Sequence, residues 1–505
     1  MLEAFVQGLQ TIFSPATFLP ILVGTIVAVF LGILPGINAS FAIIVLLPFI
    51  LGMNPDIILP LMVTFMSVGN TGGSISTILL GVPGDTGNAA IVLDGYPMQK
   101  KGQGARGIGA ALTACTSGGI LSVFMALALV PILLPMIYRF RAPEMFLMIM
   151  IGIAFLALLT KRSRKKGLIA TALGLLISTI GFQAKTGAAR FTFGSLYLYD
   201  GIGIVVVMFG IFVVPILVEM GTMTKPLVPP GGALTSKSYR QMLEGARDVV
   251  RHFWLWFRST VIGYIVGIIP GIGGQVGMWV AYAQAKQTSK DPESFGTGRV
   301  EGVIAPASAN NAKTAGDLLT TLAFGIPGSG VMVLMMAAMV MVGIQPGPQM
   351  LTDHLGLSFT LVMAVALANA IAGTLCFALA PYLLKVTTVH PSFLFCSIAP
   401  LVLLSVYTHN EVALDMPVLM IMGIVGMLMR KFDYPAPPLM LGFVLGKMFE
   451  YYLWQSLTIF GPTFLVSSPI AIVLLIVVLC TFNIDSLQKL RDRFRKPPAA
   501  STTGA

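Results

Sequence analysis

Charged side chains are scarce in this chain. Asp, Glu, Lys and Arg make up 10% of its 505 residues, whereas 56% are hydrophobic. The mean hydropathy of +0.88 is far above that of soluble domains. The long apolar runs do not alternate, which argues against a β-barrel and predicts an all-α polytopic membrane protein. At about 20 residues per crossing, the chain has room for about 10–12 transmembrane helices.

Residues that commonly carry enzyme chemistry are few and dispersed. The four cysteines and four histidines are isolated from one another, so the sequence predicts neither a disulfide framework nor a metal cluster. GQGARG (102–107) follows no strand, and GGALTSKS (231–238) has Ser236 where a P-loop needs glycine. Without a nucleophile–base pair or a nucleotide motif, we expect no enzyme activity, no cofactor and no direct use of ATP.

Basic residues outnumber acidic ones, and the net charge is +11. In a polytopic protein the cytoplasmic excess of Lys and Arg explains this better than nucleic-acid binding does. Most basic residues fall in short segments, which we place in the cytoplasm: 100–106, 161–166, 225–258, 286–299, Lys385, 430–431 and 489–496. Arg139, Arg141, Lys185 and Arg190 must then lie on the other face.

Two proline–glycine motifs recur in the same order in both halves of the chain. GILPGINAS (32–40) matches GIIPGIGGQ (267–275), and residues 67–86 align without gaps with 311–330. In the second pair, Gly72 meets Gly316, and GVPG (81–84) meets GIPG (325–328). Two motifs in order and at similar separation predict an internal duplication.

The loop charges give the relative orientation of the two repeats. The loop after the second motif is basic in the first half (99–106) but has no Lys or Arg in the second (348–356). The loop between the motifs shows the reverse bias, since 52–56 has no basic residue and 285–299 has several. Corresponding loops therefore lie on opposite faces, and the repeats are predicted to be inverted, as in secondary transporters.

This interpretation divides the chain into four parts. Residues 1–222 form the first membrane repeat, and 223–258 form a cytoplasmic linker with an amphipathic helix. Residues 259–484 form the second membrane repeat, and 485–505 form a basic cytoplasmic tail that is predicted to be disordered.

Each Pro-Gly break predicts a re-entrant hairpin. Because 225–258 and 286–299 both look cytoplasmic, 259–285 should enter the bilayer and return, with its tip at 270–274; the first half has a similar tip at 35–39. Glycines let a ligand approach the backbone, and a helix that starts after a break favours an anion. The predicted substrate-binding residues are Pro35, Gly36, Asn38, Ser40, Asn70, Thr71, Gly72, Gly73, Ser74, Pro270, Gly271, Gly273, Gly274, Gln275, Asn310, Asn311 and Thr314.

Oxygen-bearing side chains beside the breaks are candidates for a coupling cation: Ser76, Thr77, Asp85, Asp317, Thr320 and Thr321. The alternative is that the hydroxyls bond back to carbonyls of their own helix or join helices, and that Asp85 caps a loop. Lys313 and Asp317, four residues apart, are predicted to pair or to line a polar cavity.

These segments together resemble the large membrane subunit of the tripartite tricarboxylate transporter family. The segments that carry the resemblance are GILPGINA, GIIPGIGG, NTGGSISTILLGVPGD, LDGYPMQKKGQGAR, EGVIAPASANNA and FGIPGSG. The resemblance implies a multi-pass transporter of the bacterial inner membrane. It also implies that the transporter works with a small membrane subunit and a periplasmic solute-binding protein. Such a transporter imports citrate or other carboxylates on a Na⁺ or H⁺ gradient.

The chain departs from the family pattern at four positions. Ala307 stands where Glu is expected, Gly81 where Asn is expected, Asp85 where Glu is usual and Asp317 where Gly is common. An aromatic or dicarboxylic acid therefore fits as a substrate at least as well as citrate. The alternative function is a passive anion channel, or another permease without ion coupling.

Overall fold

The computed structural model describes residues 1–33, 42–44, 46, 53–81, 88–158, 164–183, 185–222, 238–269, 274–383, 399–400, 402–404, 406–407 and 412–482. Nearly all of these residues are helical, and the one strand pair among them joins β1 (Gly181–Phe182) to antiparallel β2 (Ala189–Arg190). The prediction of an all-α polytopic membrane protein is confirmed.

The helices of the first half are α1 (Leu2–Phe13), α2 (Pro15–Ile33), α3 (Pro55–Leu80), α4 (Ala89–Lys100), α5 (Gly104–Ile137), α6 (Ala142–Leu158) and α7 (Arg164–Ser178). A 3₁₀ turn (Leu196–Asp200) leads to α8 (Ile204–Met208), a π-helical turn (Phe209–Val213) and α9 (Val214–Thr222).

The remaining helices are α10 (Ser238–Arg251), α11 (Phe253–Ile268), α12 (Gly274–Thr288), α13 (Glu301–Phe324), α14 (Gly330–Met341), α15 (Gln349–Thr352), α16 (Leu355–Leu383), α17 (Asp415–Lys431), α18 (Ala436–Phe460) and α19 (Pro469–Phe482). Two further 3₁₀ turns are Pro292–Ser294, which follows α12, and Gly461–Val466, which follows α18.

Among the described residues, four helices are long and apolar enough to cross a membrane: α2, α3, α5 and α16. Helix α18 and its 3₁₀ extension form a fifth candidate with α19, bent by 71°. Other apolar helices, such as α11 and α14, are shorter than a bilayer crossing because breaks interrupt them. The total of about 10–12 crossings stays a prediction.

The helices that flank the two breaks pack in the same register in both halves. A Cβ atom placed on Gly72 would lie 3.1 Å from the Ile33 nitrogen, and one on Gly316 would lie 3.0 Å from the Ile268 nitrogen. Ile33 and Ile268 each follow the first glycine of a Pro-Gly motif. The sequence repeat is therefore also a packing repeat, in which α2 lies on α3 as α11 lies on α13.

Helices α3 and α13 end in the same way. Gly81 (φ 69°) and Gly325 (φ 66°) are left-handed, and their N–H groups donate to the carbonyls of Thr77 and Thr321. Glycine adopts this conformation without the steric cost that a Cβ atom brings. The aligned glycines thus stop both helices before the second break.

Helices α3 and α13 run in opposite directions. The last turns of α4 contact both the end of α3 and the start of α13. A Cβ on Gly81 would lie 3.0 Å from the Tyr96 ring, and one on Gly298 would lie 3.2 Å from the Met98 nitrogen. Helix α3 therefore ends where α13 begins. This supports the inverted repeats, which stay a prediction.

Contacts between loops agree with the predicted sides of the membrane. Arg106 forms a 2.6 Å ion pair with Asp248, which joins segments 100–106 and 225–258. Lys166 Nζ donates to the Phe432 carbonyl at 2.6 Å, which brings segment 161–166 beside segment 430–431. We call the face that carries 100–106, 225–258 and 286–299 the basic face.

Helices α11 and α12 form an antiparallel hairpin. At its open end, Arg258 Nη2 donates to Thr288 Oγ1 at 2.7 Å, and a Cβ on Gly277 would lie 3.4 Å from Val266. The start of α11 and the end of α12 therefore both lie at the basic face, as the re-entrant prediction requires. Its tip, 270–273, lies outside the described residues.

Candidate substrate and cation site

Helices α3 and α13 each carry a polar stripe. Positions 67, 70, 71 and 74 on α3, and 310, 311, 314 and 317 on α13, recur every three or four residues, so each set lies on one helix face. All eight side chains are buried: Ser67, Asn70, Thr71, Ser74, Asn310, Asn311, Thr314 and Asp317. Buried polar groups need hydrogen-bond partners, and the stripes supply some of them to each other.

The first branch of the contact between the stripes passes through Asn369 on α16. Asn311 Nδ2 donates to Thr71 Oγ1 at 2.7 Å and to Asn369 Oδ1 at 2.6 Å. Asn369 Nδ2 donates to Ser67 Oγ and to the Val365 carbonyl, both at 2.7 Å. Ser67 and Asn311 are matching positions of the two repeats, so Asn369 bridges the halves at equivalent points.

The second branch lies at the start of α4. Asn310 Nδ2 donates to Asn88 Oδ1 at 3.2 Å and approaches the Cys115 sulfur at 4.0 Å, and Ser74 Oγ lies 3.9 Å from that sulfur. A Cβ on Gly73 would lie 2.9 Å from Asn88 Nδ2, so glycine makes room for this side chain. We call the residues of both branches the polar centre: Ser67, Thr71, Ser74, Asn88, Cys115, Asn310, Asn311 and Asn369.

Two acceptors of the polar centre have no hydrogen-bond partner among the described residues. These are Asn310 Oδ1 and Asn311 Oδ1, and both side chains are fully buried. A buried acceptor without a donor costs about 1–3 kcal/mol. Native structures contain few such groups, so the two oxygens need a further partner, such as an ordered water or a bound ion.

The orientation of the Asn311 amide follows from its neighbours. The Val365 carbonyl can only accept, so it fixes Asn369 Nδ2 on its own side. Asn369 Oδ1 then faces Asn311 and needs a donor, which must be Asn311 Nδ2. The oxygen of Asn311 is consequently the atom left without a partner.

The helices that lead into the breaks end beside the polar stripes. A Cβ on Gly32 would lie 2.9 Å from the Gly69 carbonyl carbon, and one on Gly267 would lie 2.9 Å from the Lys313 Cα. Gly69 lies between positions 67 and 70 of α3, and Lys313 lies between positions 311 and 314 of α13. Each chain segment thus enters its break next to the middle of a polar helix.

The breaks themselves, with eight predicted site residues, lie outside the described residues: Pro35, Gly36, Asn38, Ser40, Asp85, Pro270, Gly271 and Gly273. Gly274, the last residue of the predicted tip at 270–274, is the first residue of α12, so a helix starts at the end of the break. Gln275 belongs to the first turn of α12, and its side chain also lies outside the described part.

Three other predicted substrate-binding residues differ in their surroundings. The side chains of Asn70 and Thr314, 8% and 5% exposed, form no hydrogen bond with the described residues, so their polar groups remain available beside the polar centre. Gly72 instead packs directly against α2. Its structural role is close helix packing.

The hydroxyl groups predicted to bind a cation are bonded to the backbone. Ser76, Thr77, Thr320 and Thr321 each donate to a carbonyl three or four residues earlier, at 2.6–3.1 Å. This bonding commits the hydroxyl protons to the backbone but leaves lone pairs on the oxygens, so cation binding by these residues stays a prediction.

Asp317 fastens the break that follows α13. Its Oδ1 accepts the Gly328 N–H at 2.7 Å, and a Cβ on Gly328 would lie 2.5 Å from the same oxygen. Lys313 lies one turn earlier and is equally buried. Asp317 therefore holds the loop after Gly325 against the helix that precedes it.

The sequence argument missed Ser67, Asn88 and Asn369. Asn369 is a lone amide in the long apolar helix α16, and an isolated polar residue in such a helix is a signal for function. Ser67 is the first residue of the aligned block 67–86, but its hydrogen-bond partner, Asn369, comes from the distant helix α16. Only the folded chain places these residues together.

Comparisons with known proteins match most of the chain. A model of the tripartite tricarboxylate transporter TctA family matches residues 18–441, which include both breaks and the whole polar centre. An uncharacterised 52.8 kDa protein in the TAR-I ttuC' 3' region of Agrobacterium vitis is 30% identical over 500 residues, 96% of each chain. An uncharacterised protein in the TAR-II ttuC' 3' region of the same organism is 31% identical over 236 residues, 46% of this chain and 98% of that one.

No solved structure is similar to the chain at a significant level. The family match covers well over half of the chain, and the first relative is similar along almost its whole length. The chain belongs to the tripartite tricarboxylate transporter TctA family.

Proposed function

We propose that this chain is the large transmembrane subunit of a secondary active, cation-coupled importer of tricarboxylates or other carboxylates in the bacterial inner membrane. A small membrane subunit and a periplasmic solute-binding protein complete the importer. Membership of a tripartite transporter family supports this assembly.

The observation that carries the proposal is the incomplete polar centre at mid-length of two oppositely directed helices. Asn311 is near the middle of α13 (Glu301–Phe324), and Ser67 is near the middle of α3 (Pro55–Leu80). Transporters with inverted repeats bind their cargo at this depth, between the repeats, where each face can reach it in turn. Buried polar groups at this depth are costly, and their presence favours a transport role.

The chemistry of the free atoms divides the site into two parts. Asn310 Oδ1 and Asn311 Oδ1 are acceptors, which attract a cation and repel a carboxylate. The carboxylate needs donors, and backbone N–H groups at the start of α12 supply them. We therefore assign the two asparagine oxygens to the coupling cation, and the glycine-rich breaks to the substrate.

The position of the α12 start agrees with this division. Helix α12 has 15 residues and ends at the basic face beside Arg258. At 1.5 Å per residue, its first residue lies about 20 Å from that face, well inside a bilayer core of about 30 Å. The N–H groups after the break therefore reach the depth of the polar centre.

Uptake by reconstituted protein tests the proposal. The chain and its small membrane subunit are placed in proteoliposomes with the solute-binding protein outside, and a Na⁺ or pH gradient is imposed. The carboxylates offered are those that raise the melting temperature of the binding protein, since ligand binding stabilises it. We expect accumulation above the external concentration with one gradient, and none after the gradient is collapsed by an ionophore.

The same experiment distinguishes the rival function. A passive anion channel equilibrates the carboxylate without accumulating it, whatever gradient is imposed. Equilibration without accumulation would therefore show that the protein is a passive channel and not a coupled carrier. If no carboxylate enters with either gradient, the proposed substrate class is wrong.

A further inference from the structure

Asp94, in the middle of α4, holds a loop of the second repeat through its carboxylate. Oδ1 accepts the backbone N–H groups of Gly296, Gly298 and Arg299 at 2.9, 2.8 and 2.8 Å. Oδ2 accepts the hydroxyl of Tyr282 at 2.9 Å. The side chain is fully buried, so four donors from the second repeat surround one acid from the first.

Glycines shape the loop around this carboxylate. Gly296 and Gly298 have φ of +90° and +106°, which side-chain-bearing residues rarely adopt. A Cβ on Gly302 would lie 2.6 Å from the Asp94 carboxyl carbon. Three glycines within seven residues thus let the backbone close on Asp94.

The loop is also braced at the basic face. Arg299 donates to Glu301 through Nε at 3.2 Å and through Nη2 at 2.6 Å. The hydrogen bond to Glu301 raises the pKa of the Arg299 guanidinium, so the pair stays charged. The loop that Asp94 binds is therefore also bonded to the first residue of α13.

Asp94 lies between the polar centre and the basic face. Helix α4 begins after Asn88, which is bonded to Asn310, and ends at Lys100 in the basic segment 100–106. Helix α13 covers the same distance in its first ten residues, from Glu301 to Asn310. Between these ends, small apolar side chains of α4, α12 and α13 pack together, namely Ala90, Ala281, Ala305 and Ala309. Parting α4 from α13 would open a route from the polar centre to this face.

The aligned position in the second repeat has no carboxylate. At the offset that aligns 67–86 with 311–330, Asp94 meets Ala338 in α14, which is buried and apolar. At the same offset, Asn54 and Ile58 stand where the second repeat has Gly298 and Gly302. Asp94 thus has no aligned carboxylate in the described helix α14.

We propose that Asp94 is a positioning residue that closes the route from the polar centre to the cytoplasm and releases the 296–299 loop once in each transport cycle. This inference rests on the proposed transport function.

Loss of the charge alone tests the closure. In Asp94→Asn the amide oxygen still accepts from the loop, but hydrogen bonds to a charged acceptor are about twice as strong as neutral ones. We expect the open population at the basic face to rise about tenfold, since 1.4 kcal/mol corresponds to a factor of ten.

The reporter is the native Cys115, which is buried in the polar centre. Cys376, Cys396 and Cys480 are replaced by alanine, and a charged, membrane-impermeant thiol reagent is applied to inside-out or right-side-out vesicles. We expect Asp94→Asn to raise the labelling rate of Cys115 about tenfold from the cytoplasmic side only. No substrate or gradient is present, so the result does not depend on the uptake assay.

Glu293→Gln is the matched control, because it removes one negative charge from the same segment outside the contacts of Asp94. It should leave both rates unchanged. If Asp94→Asn fails to accumulate in the membrane, Tyr282→Phe removes only the bond to Oδ2, and the rate should rise by a smaller factor on the same side.

Two results overturn the inference. Equal labelling rates in Asp94→Asn and the parent protein would mean that the contact does not limit opening. Faster labelling from both sides would mean that Asp94 is a structural anchor whose loss loosens the whole fold. If Asp94→Asn is labelled faster from one side only, while the parent protein takes up no carboxylate, the closure is kept and the proposed function is rejected.

Discussion

Replacing Asn311 with alanine separates a ligand-binding role from a structural one. The substitution removes the orphaned Oδ1 and the two hydrogen bonds donated by Nδ2 to Thr71 and Asn369. It also leaves Asn369 Oδ1 without its donor. One buried acceptor without a partner therefore takes the place of another, and these two costs of about 1–3 kcal/mol cancel.

What remains is the loss of two hydrogen bonds. Interhelical bonds in membrane proteins contribute about 0.6 kcal/mol each on average, so Asn311→Ala should destabilise the protein by about 1 kcal/mol. For a chain of this size, such a loss lowers the melting temperature by a few degrees at most. The folded protein should therefore accumulate normally.

Transport should respond far more strongly. If Asn311 Oδ1 binds the coupling cation, its removal weakens cation binding, and uptake at limiting cation concentration should fall at least tenfold. The assay combines a melting curve of the purified variant with initial uptake rates over a series of cation concentrations. A raised cation requirement with unchanged carboxylate affinity at saturating cation is the expected pattern.

Ser308→Ala is the matched control. Ser308 lies in the same helix, is equally buried, and donates one bond to the Ile304 carbonyl. It should keep both stability and uptake. The reasoning is refuted if Asn311→Ala transports like the parent protein, or if its uptake falls only in proportion to a large loss of folded protein.

Three further substitutions test other parts of the structure. Gly316→Ala should lower the melting temperature and the yield, because the new methyl group would lie 3.0 Å from the Ile268 nitrogen and overpacking costs about 1–3 kcal/mol. The control Gly107→Ala, whose methyl group meets nothing closer than 3.5 Å, should be tolerated. Equal yields of the two variants would contradict the tight α11–α13 contact. Gly325→Ala should cost about 1–2 kcal/mol through its left-handed φ of 66°, measured as a lower melting temperature, whereas an unchanged value would contradict the helix stop. Gly273→Val should abolish uptake while expression stays normal, and normal uptake would count against the predicted tip at 270–274.

The sequence predicted an internal duplication, but it assigned Gly72 to substrate binding and did not predict the helix packing that its glycines allow. Gly72 and Gly316 align without gaps, and each lies against the residue after the first glycine of its Pro-Gly motif. Close helix contact requires a position without a side chain, so the requirement is visible in the sequence. The Pro-Gly content of 270–274 predicted a break there, and α12 starts at Gly274, the last residue of the predicted tip.

The polar centre was predicted only in part. Thr71, Asn310 and Asn311 were candidates because amide and hydroxyl groups near the breaks stand out in an apolar chain. Asn369 comes from α16, which is distant in sequence, and no local pattern reports such a contact. The directions of the Asn369 and Asn311 amides, which separate a donor site from an acceptor site, depend on the Val365 carbonyl and are fixed by the fold alone.

The hydroxyl candidates show the same limit. A serine or threonine in a membrane helix has the same sequence signature whether it binds a cation or bonds to its own backbone. Thr77 and Thr321 lie at matching positions and both bond to a carbonyl four residues earlier. The sequence identified Thr77 and Thr321 as matching positions, and the structure shows that their hydroxyl protons are donated to backbone carbonyls.

A cryo-EM map of the assembled transporter with saturating carboxylate and coupling cation tests the central claim most directly. The account predicts ligand density against Asn310 Oδ1 and Asn311 Oδ1, with the carboxylate beside the N–H groups at the start of α12. A map in which protein donors complete both amide oxygens, and the carboxylate lies away from α3 and α13, would contradict it.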